Sequence, residues 1–393
     1  MEHRHDYLIV GAGMAGEAAA QALHDADPDA SIGMIGNENQ PPYDRPPLSK
    51  GLWKGDEEKS IFRPLDKTGA TLFSDRAATG IDAEAHRISD SEGDTHLYRK
   101  LLLATGGTPR TLDVDSDRLV HFRTLDDYHR LRSMANSGSH IAVIGAGFIG
   151  SELAAALAGN DVRVSLVFPE DYLGERIYPI GLADFLSDYY REHGIELLPG
   201  RRVRTAHQNG DKLRLKLDNG HCLEIDAAVA GLGISPNTAL AEQAGASVDN
   251  GIVVDDCMRT SVPDIHAAGD VAAFPNRDLG GQIRFEHENC AITSGYRAGL
   301  TMAGKPEPYT ELPFFYSDLF DLGYEAVGLL DARLEIAEDW RVPHREGVVY
   351  YLDDGRVRGV LLWNTWGQVD AARKLIADPG PHDADSLRGR IRG

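Results

Sequence analysis

The sequence predicts an α/β protein with two Rossmann-like dinucleotide-binding domains and a C-terminal α+β domain. Three observations predict it. Residues 7–16, YLIVGAGMAG, run from an apolar strand through a glycine turn into a helix-compatible segment. Residues 141–150, IAVIGAGFIG, repeat the pattern. After Pro306-Glu307-Pro308 the chain changes to short alternating strands with no further fingerprint.

In each fingerprint the first glycine permits the tight turn. The second lets backbone approach a pyrophosphate, and the third lets helix and strand pack closely. The helix N-terminus then offers free N–H groups and partial positive charge to the phosphates. Gly11, Gly13 and Gly16 fill these places first, and Gly145, Gly147 and Gly150 fill them again. Two such units imply two dinucleotides.

At 393 residues the chain has room for two or three domains. Apolar residues make up 42% and charged residues 26%, ordinary for a soluble chain. No apolar run approaches the roughly 20 residues of a membrane helix, and Glu2-His3-Arg4-His5-Asp6 leads into a strand rather than a signal peptide. A cytoplasmic protein is expected. The net charge of −21 argues against nucleic acid and calls for a local basic patch if an acidic partner docks. Cys222, Cys257 and Cys290 form no Cys-x-x-Cys or Cys-x4-Cys pair, so neither zinc nor a redox dithiol is expected.

In order, residues 31–36 read as the second strand of the first unit. An acid at its end would hold ribose hydroxyls. Asn37 stands there and Glu38 follows, and either can serve. Four prolines stiffen residues 41–53, PPYDRPPLSKGLW, which present Asp44, Arg45 and Lys50 either as a structural loop or against an anionic cofactor. Residues 101–107 form a buried strand with a small-residue end. The second unit continues through a helix at 151–158 and a strand at 162–168, and Glu170 then falls where a ribose-binding acid is expected, with Asp171 next. That acid favours NADH over NADPH, and Arg176 nearby blunts the preference. Further strands are expected near 195–198, 214–217 and 227–230. Asp270, after the apolar residues 265–268, serves either as a polyol-binding carboxylate or as a helix N-cap. A helix is expected over 284–299. The last segment should hold strands at 314–317, 324–330, 347–352 and 359–363 and a helix at 369–376, with residues after Pro379 as a flexible tail.

The order of GAGMAG, RPPLSK, ATGGTPR, GAGFIGSEL, GLGISPN and AAGDVA resembles the two-dinucleotide flavoprotein reductases. Within them the chain is similar to the ferredoxin reductases of oxygenase systems and, more closely, to the apoptosis-inducing factor group, through FPEDYLGERIYP, FEHENCAITSG, FYSDLFDLGYEAVG and GVLLWNTWGQVDAARKLI. The resemblance spans about residues 6–378 and implies a glutathione reductase-like arrangement. An FAD-binding domain (1–119 and 237–306) is interrupted by an NAD(H)-binding domain (120–236). A C-terminal domain (307–378) and a tail (379–393) follow.

It also implies roles. Gly11, Gly13, Ala15 and Gly16 hold the FAD pyrophosphate, and Asn37 and Glu38 occupy the adenosine ribose position. Arg45, Lys50, Thr79, Arg123, Asp270, His287 and Glu288 fall on flavin-binding positions, and Tyr316 stands where a stacking tryptophan is usual. Gly145, Gly147, Phe148, Ile149, Gly150, Glu170, Arg176, Gly233, Glu286, Glu325 and Asn364 fall on NADH-binding positions. Lys50 and Glu152 are the expected catalytic pair near flavin N5, Glu152 being otherwise a surface acid on its helix. The shorter stretch at 332–346 departs from the apoptosis-inducing factor pattern, so apoptotic roles and DNA binding do not carry over. The implied activity is hydride transfer from NADH to FAD and on to an acceptor such as a ferredoxin or a quinone. The alternative is a redox sensor that forms a long-lived charge-transfer complex and a homodimer on reduction.

Overall fold

The computed structural model describes residues 1–114 and 116–392. They divide into two compact units. The first comprises Met1–Asp44, Glu57–Thr108 and Ser235–Pro313, and the second comprises Arg45–Asp56, Pro109–Ile234 and Phe314–Gly393.

The first unit is built on a seven-stranded sheet. Glu2–Val10 pairs in parallel with Ile32–Ile35 on one side and Thr95–Leu103 on the other. Thr71–Phe73 extends the parallel side. On its other edge the long strand Thr95–Leu103 serves two further partners. Its first half pairs antiparallel with Arg87–Asp90, and residues 101–103 pair in parallel with Ile265–Ala267. Leu8, Ile9, Leu101, Leu102 and Leu103 are fully buried, as near-continuous apolar runs in a parallel sheet should be. Helices Met14–Ala26 and Glu288–Met302 cross at backbone contact. A Cβ on Gly295 would lie 2.3 Å from the Ala15 carbonyl oxygen, and one on Gly299 would lie 2.5 Å from that of Ala19.

The second unit carries a five-stranded parallel sheet in the order Glu196–Leu198, Arg163–Val167, His140–Ile144, Ala227–Ala230, Leu119–His121. A three-stranded antiparallel sheet, Val203–Asn209, Lys212–Leu217 and Cys222–Ile225, packs against one face of it. Lys212–Leu217 alternates strictly between exposed and buried. Its Leu213, Leu215 and Leu217 pack with Ala142, Ile144, Val167 and Ala228, each fully buried leucine contributing about 1.5–3 kcal/mol. The same unit ends in a five-stranded antiparallel sheet, ordered Phe314–Leu319, Leu322–Gly328, Arg356–Trp363, Glu346–Asp353, Glu335–Val342.

Four expectations need correction. The helix expected over 284–299 starts at Glu288 and ends at Met302, with His287 extended as its N-cap. Arg284 is held in the preceding turn by the Asp270 carbonyl at 2.9 Å and by Glu286 at 2.7 Å. The strand expected at 324–330 is Leu322–Gly328, since Gly328 turns the chain at φ +78°. The stretch 332–346 contains an edge strand, Glu335–Val342, whose charged outer face hid its period. The residues after Pro379 are packed rather than flexible. Helix Ala384–Leu387 is capped by Asp383, Leu387 and Ile391 are buried, and the Gly389 N–H donates to Asp339 Oδ2 at 2.6 Å. The arginines at 388, 390 and 392 masked that apolar pair. Gly393 lies outside the described residues.

Candidate functional site

In the first unit the fingerprint forms as strand, turn and helix. Gly11 adopts φ +120°, where a Cβ would stand 2.1 Å from the Ala104 carbonyl oxygen. A Cβ on Gly16 would stand 2.1 Å from the Gly11 carbonyl oxygen. Gly13 differs. It is the N-cap of Met14–Ala26, offers no side-chain cap, and has nothing within 4 Å of its Cβ direction. The first-turn amides have no intrahelical acceptors, so this end is open to a diphosphate. The turn after Ile265–Ala267 abuts the same helix: a Cβ on Gly269 would meet Ala15 Cβ at 2.8 Å, and the Gly269 N–H donates to Ser294 Oγ at 3.0 Å. Asp270 and the fingerprint therefore belong to one neighbourhood.

Of the two ribose candidates, Asn37 is exposed while Glu38 is half-buried and accepts from the Tyr43 hydroxyl at 2.5 Å. Thr79 lies exposed on Ala78–Asp82, its hydroxyl donating to the Ser89 carbonyl at 3.2 Å. Glu286 pairs with Arg284, and His287 and Glu288 open the helix Glu288–Met302. Burial lowers His287 to about 4, partly opposed by the Asp270 carboxylate, so the imidazole is neutral at pH 7. The sequence reading missed a half-buried ion network beside the fingerprint. Arg63 donates to Glu17 Oε2 at 2.6 Å and to Asp44 Oδ1 at 2.7 Å, with Glu17 only 3% exposed. All three cysteines are free, and burial pushes the Cys290 thiol up to about 12, leaving it unreactive.

In the second unit the proline-stiffened segment folds as two short 3-10 turns, Pro46–Ser49 and Gly51–Lys54. Trp53 anchors it. Its indole N–H donates to the Leu48 carbonyl at 2.8 Å, and its ring stands edge-on to Tyr128 at 5.4 Å. Asn160 donates to the Trp53 carbonyl at 3.1 Å, and Arg45 donates to the Arg123 carbonyl at 2.8 Å. The Arg123 N–H in turn donates to Asp127 Oδ2 at 3.0 Å. Lys50 is thus fixed from both sides.

Lys50 Nζ lies 2.8 Å from Glu152 Oε1, with the two side chains 10% and 2% exposed. Glu152 is no surface acid. It sits on helix Phe148–Ala158 facing inward and also accepts from Ser49 Oγ at 2.6 Å and Ser317 Oγ at 2.7 Å. Lys50 Nζ also lies 5.2 Å from the centre of the Tyr316 ring, a cation–π distance. The hydroxyls of Tyr178, Tyr190 and Tyr324 stand in the field of Glu152, and burial first, with the Glu152 charge adding to it, keeps all three protonated. The serines escaped the sequence reading. Alternation along Phe314–Leu319 does put Ser317 on the buried face with Leu319, and a polar residue there was the available signal.

The second fingerprint repeats the first. A Cβ on Gly150 would lie 1.9 Å from the Gly145 carbonyl oxygen, while Gly147 caps the helix with open space beside it. Phe148 and Ile149 are exposed, and Phe148 stands edge-on to Phe315 at 5.0 Å. Gly233 has φ +79°. Glu170 is bound by Arg176 at 2.6 Å. Glu325 Oε2 accepts the Gly367 N–H at 2.8 Å. Asn364, at φ +46°, binds the Gly323 N–H at 2.8 Å and the Arg345 carbonyl at 2.9 Å through its side chain.

Two open glycine-capped helix ends, each after a buried parallel strand, define a protein that binds two dinucleotides. Comparison with known proteins agrees. Residues 5–295 match the pyridine nucleotide-disulphide oxidoreductase family model, and residues 336–378 match the C-terminal model of mitochondrion-associated apoptosis-inducing factor. The chain belongs to the pyridine nucleotide-disulphide oxidoreductase family. It is 35% identical over 394 residues to the ferredoxin–NAD(+) reductase component of the anthranilate 1,2-dioxygenase system of Burkholderia cepacia, covering 97% of this chain and 96% of that one. It is 32% identical over 414 residues to apoptosis-inducing factor 1 of Dictyostelium discoideum, covering 94% and 78%. Putidaredoxin reductase in its covalent complex with putidaredoxin superposes with a TM-score of 0.91 at 29% identity, covering 98% and 95%. The chain is an NAD(H)-dependent flavoprotein oxidoreductase of ferredoxin-reductase type, with FAD and NAD(H) as cofactors. No described helix is long and apolar enough to cross a membrane.

Proposed function

We propose that this protein carries electrons from NADH through FAD to a small ferredoxin-type iron–sulfur protein in the cytoplasm. The proposed domains are FAD-binding (1–119 and 237–306), NAD(H)-binding (120–236) and C-terminal (307–378). The observation that carries the reading is the buried Lys50–Glu152 pair, which shares a unit with the second fingerprint. FAD, when bound, accepts hydride from NADH and releases the electrons to the acceptor.

The chain's own residues do the rest. Gly13 and Gly147 leave their helix ends open to the two pyrophosphates. Glu38, with Asn37 beside it, takes ribose hydroxyls of FAD, and Glu170 takes those of NADH. Arg45, Thr79, Arg123, Asp270, His287 and Glu288 contact the flavin nucleotide, with His287 neutral. Lys50 presents a fixed positive charge to the flavin edge, where negative charge develops on reduction. Glu152 holds that ammonium in place. Tyr316 stacks in the position a tryptophan usually takes, and Phe148 lines the nicotinamide pocket with Ile149. Gly233, Glu286, Glu325 and Asn364 complete the NADH surface, the last two by shaping the backbone they bind. Glu170 favours NADH because a 2′-phosphate would meet its charge.

The likeness to the Burkholderia ferredoxin–NAD(+) reductase component and to the putidaredoxin reductase complex supports the ferredoxin acceptor. Anaerobic addition of one equivalent of NADH to the purified protein tests the reading. Bleaching of a flavin spectrum within seconds is expected. A protein that holds no flavin after reconstitution would refute it.

A further inference from the structure

We propose that Ser317, with Ser49, is a positioning residue of the reaction. The two hydroxyls clamp the Glu152 carboxylate by its two oxygens and so fix the ammonium of Lys50. This rests on the reading of Lys50 as the flavin-side cation.

Two separate segments meet on Glu152. Ser49 ends the 3-10 turn Pro46–Ser49, Ser317 sits in strand Phe314–Leu319, and Lys50 follows Ser49. Ser49 and Ser317 are 2% and 1% exposed, so water does not replace them. Each serine has one proton to give. Ser49 Oγ is 2.6 Å from Glu152 Oε2 against 3.4 Å from the Pro46 carbonyl, so its proton belongs to the carboxylate. Ser317 Oγ is 2.7 Å from Oε1, the oxygen that also meets Lys50 at 2.8 Å. The carboxylate therefore cannot rotate without breaking a bond on each side.

The charge balance is local. Tyr178, Tyr190 from helix Ile180–Glu192 and Tyr324, the cross-strand partner of Ser317, face Glu152 as neutral phenols. Lys50 is the cation paired with it. A buried carboxylate that loses a donor takes a proton more readily, and Lys50 then loses its counter-ion. The serines thus act on the reaction through two other side chains.

The experiment uses the holoenzyme. Ser317→Ala, Ser317→Thr, Ser49→Ala and Lys50→Met are compared in anaerobic flavin reduction by NADH from pH 5.5 to 9. Amine-directed labelling of Lys50 is read by mass spectrometry without NADH. Ser317→Ala should slow reduction about tenfold at saturating NADH, the kinetic equivalent of one charged hydrogen bond, with NADH affinity unchanged. The acid limb of the profile should move to higher pH, because a carboxylate that loses a donor takes a proton more readily, and Lys50 should label several-fold faster. Ser317→Thr should restore all three. Ser49→Ala removes the other half of the clamp and answers the question if Ser317→Ala loses its flavin.

Wild-type rate, profile and labelling in both alanine variants would overturn the clamp. So would equal losses in Ser317→Ala and Ser317→Thr with labelling unmoved, the mark of simple packing. Lys50→Met separates the two levels: slow Lys50→Met with unaffected serine variants removes the clamp alone, whereas fast Lys50→Met removes the reading beneath it.

Discussion

Lys50→Met removes the ammonium and keeps the stem, which makes it the most informative single change. The wild-type contact is 2.8 Å to a carboxylate 2% exposed. Breaking a buried ion pair by removing one partner costs about 3–5 kcal/mol. Ser49 and Ser317 keep their bonds to Glu152, and Lys50 is itself 10% exposed, so the low end, about 3 kcal/mol, is expected. That loss reads as a lower urea midpoint, measured by tryptophan fluorescence. The chemical cost is separate. Losing one preorganised electrostatic donor costs about 10²–10³ in rate, so stopped-flow bleaching of the flavin at saturating NADH should slow about a hundredfold. Glu152→Gln should retain more stability than Lys50→Met while slowing reduction in the same direction, because the amide keeps the shape and loses the charge. Wild-type bleaching rates in both variants would refute the assignment of Lys50 and Glu152.

Gly13→Ala should leave the fold intact, since nothing lies within 4 Å of its Cβ direction, and should abolish FAD retention, read as the loss of flavin absorbance in folded protein. Gly150→Ala should instead prevent correct folding of the second unit, because its Cβ would sit 1.9 Å from the Gly145 carbonyl oxygen; a soluble variant with wild-type circular dichroism and Tm would contradict this. Glu170→Ser should free Arg176 from its 2.6 Å pair and raise kcat/KM for NADPH relative to NADH by at least about tenfold, measured by steady-state reduction of a dye. His5, His266 and His287 are lowered from 6.5 to about 4, mainly by burial. The unfolded chain therefore takes up their protons below about 6.5 and the folded chain only below about 4, so stability must fall as pH drops through that window, by up to about 3 kcal/mol per histidine. Thermal melts of the apoprotein at pH 7.5, 6 and 5 should show a falling Tm, and a flat Tm would contradict it.

Much of the nucleotide-binding framework was legible because it is local. Gly16 and Gly150 report backbone approaches to Gly11 and Gly145, five residues before them, and the apolar strands beside them read directly as parallel core. The Lys50–Glu152 pair was legible only through resemblance, because two residues so far apart in sequence carry no shared local pattern. Ser317 and the Arg63–Glu17–Asp44 network were missed for the same reason. The edge strand Glu335–Val342 and the packed residues Leu387 and Ile391 were hidden by charge, since residues with one apolar face and several charged neighbours read as connecting chain. The start of helix Glu288–Met302 was set by the tertiary bond from Arg284 to the Asp270 carbonyl, which the segment itself does not encode.

The most direct test of electron delivery mixes the NADH-reduced protein with an oxidised [2Fe–2S] ferredoxin and follows both chromophores. Ferredoxin should bleach while the flavin regains its oxidised spectrum, and a catalytic amount of the protein with excess NADH should sustain many turnovers. A reduced flavin that leaves the ferredoxin oxidised and keeps a long-wavelength band after air is admitted would contradict it and favour a sensor.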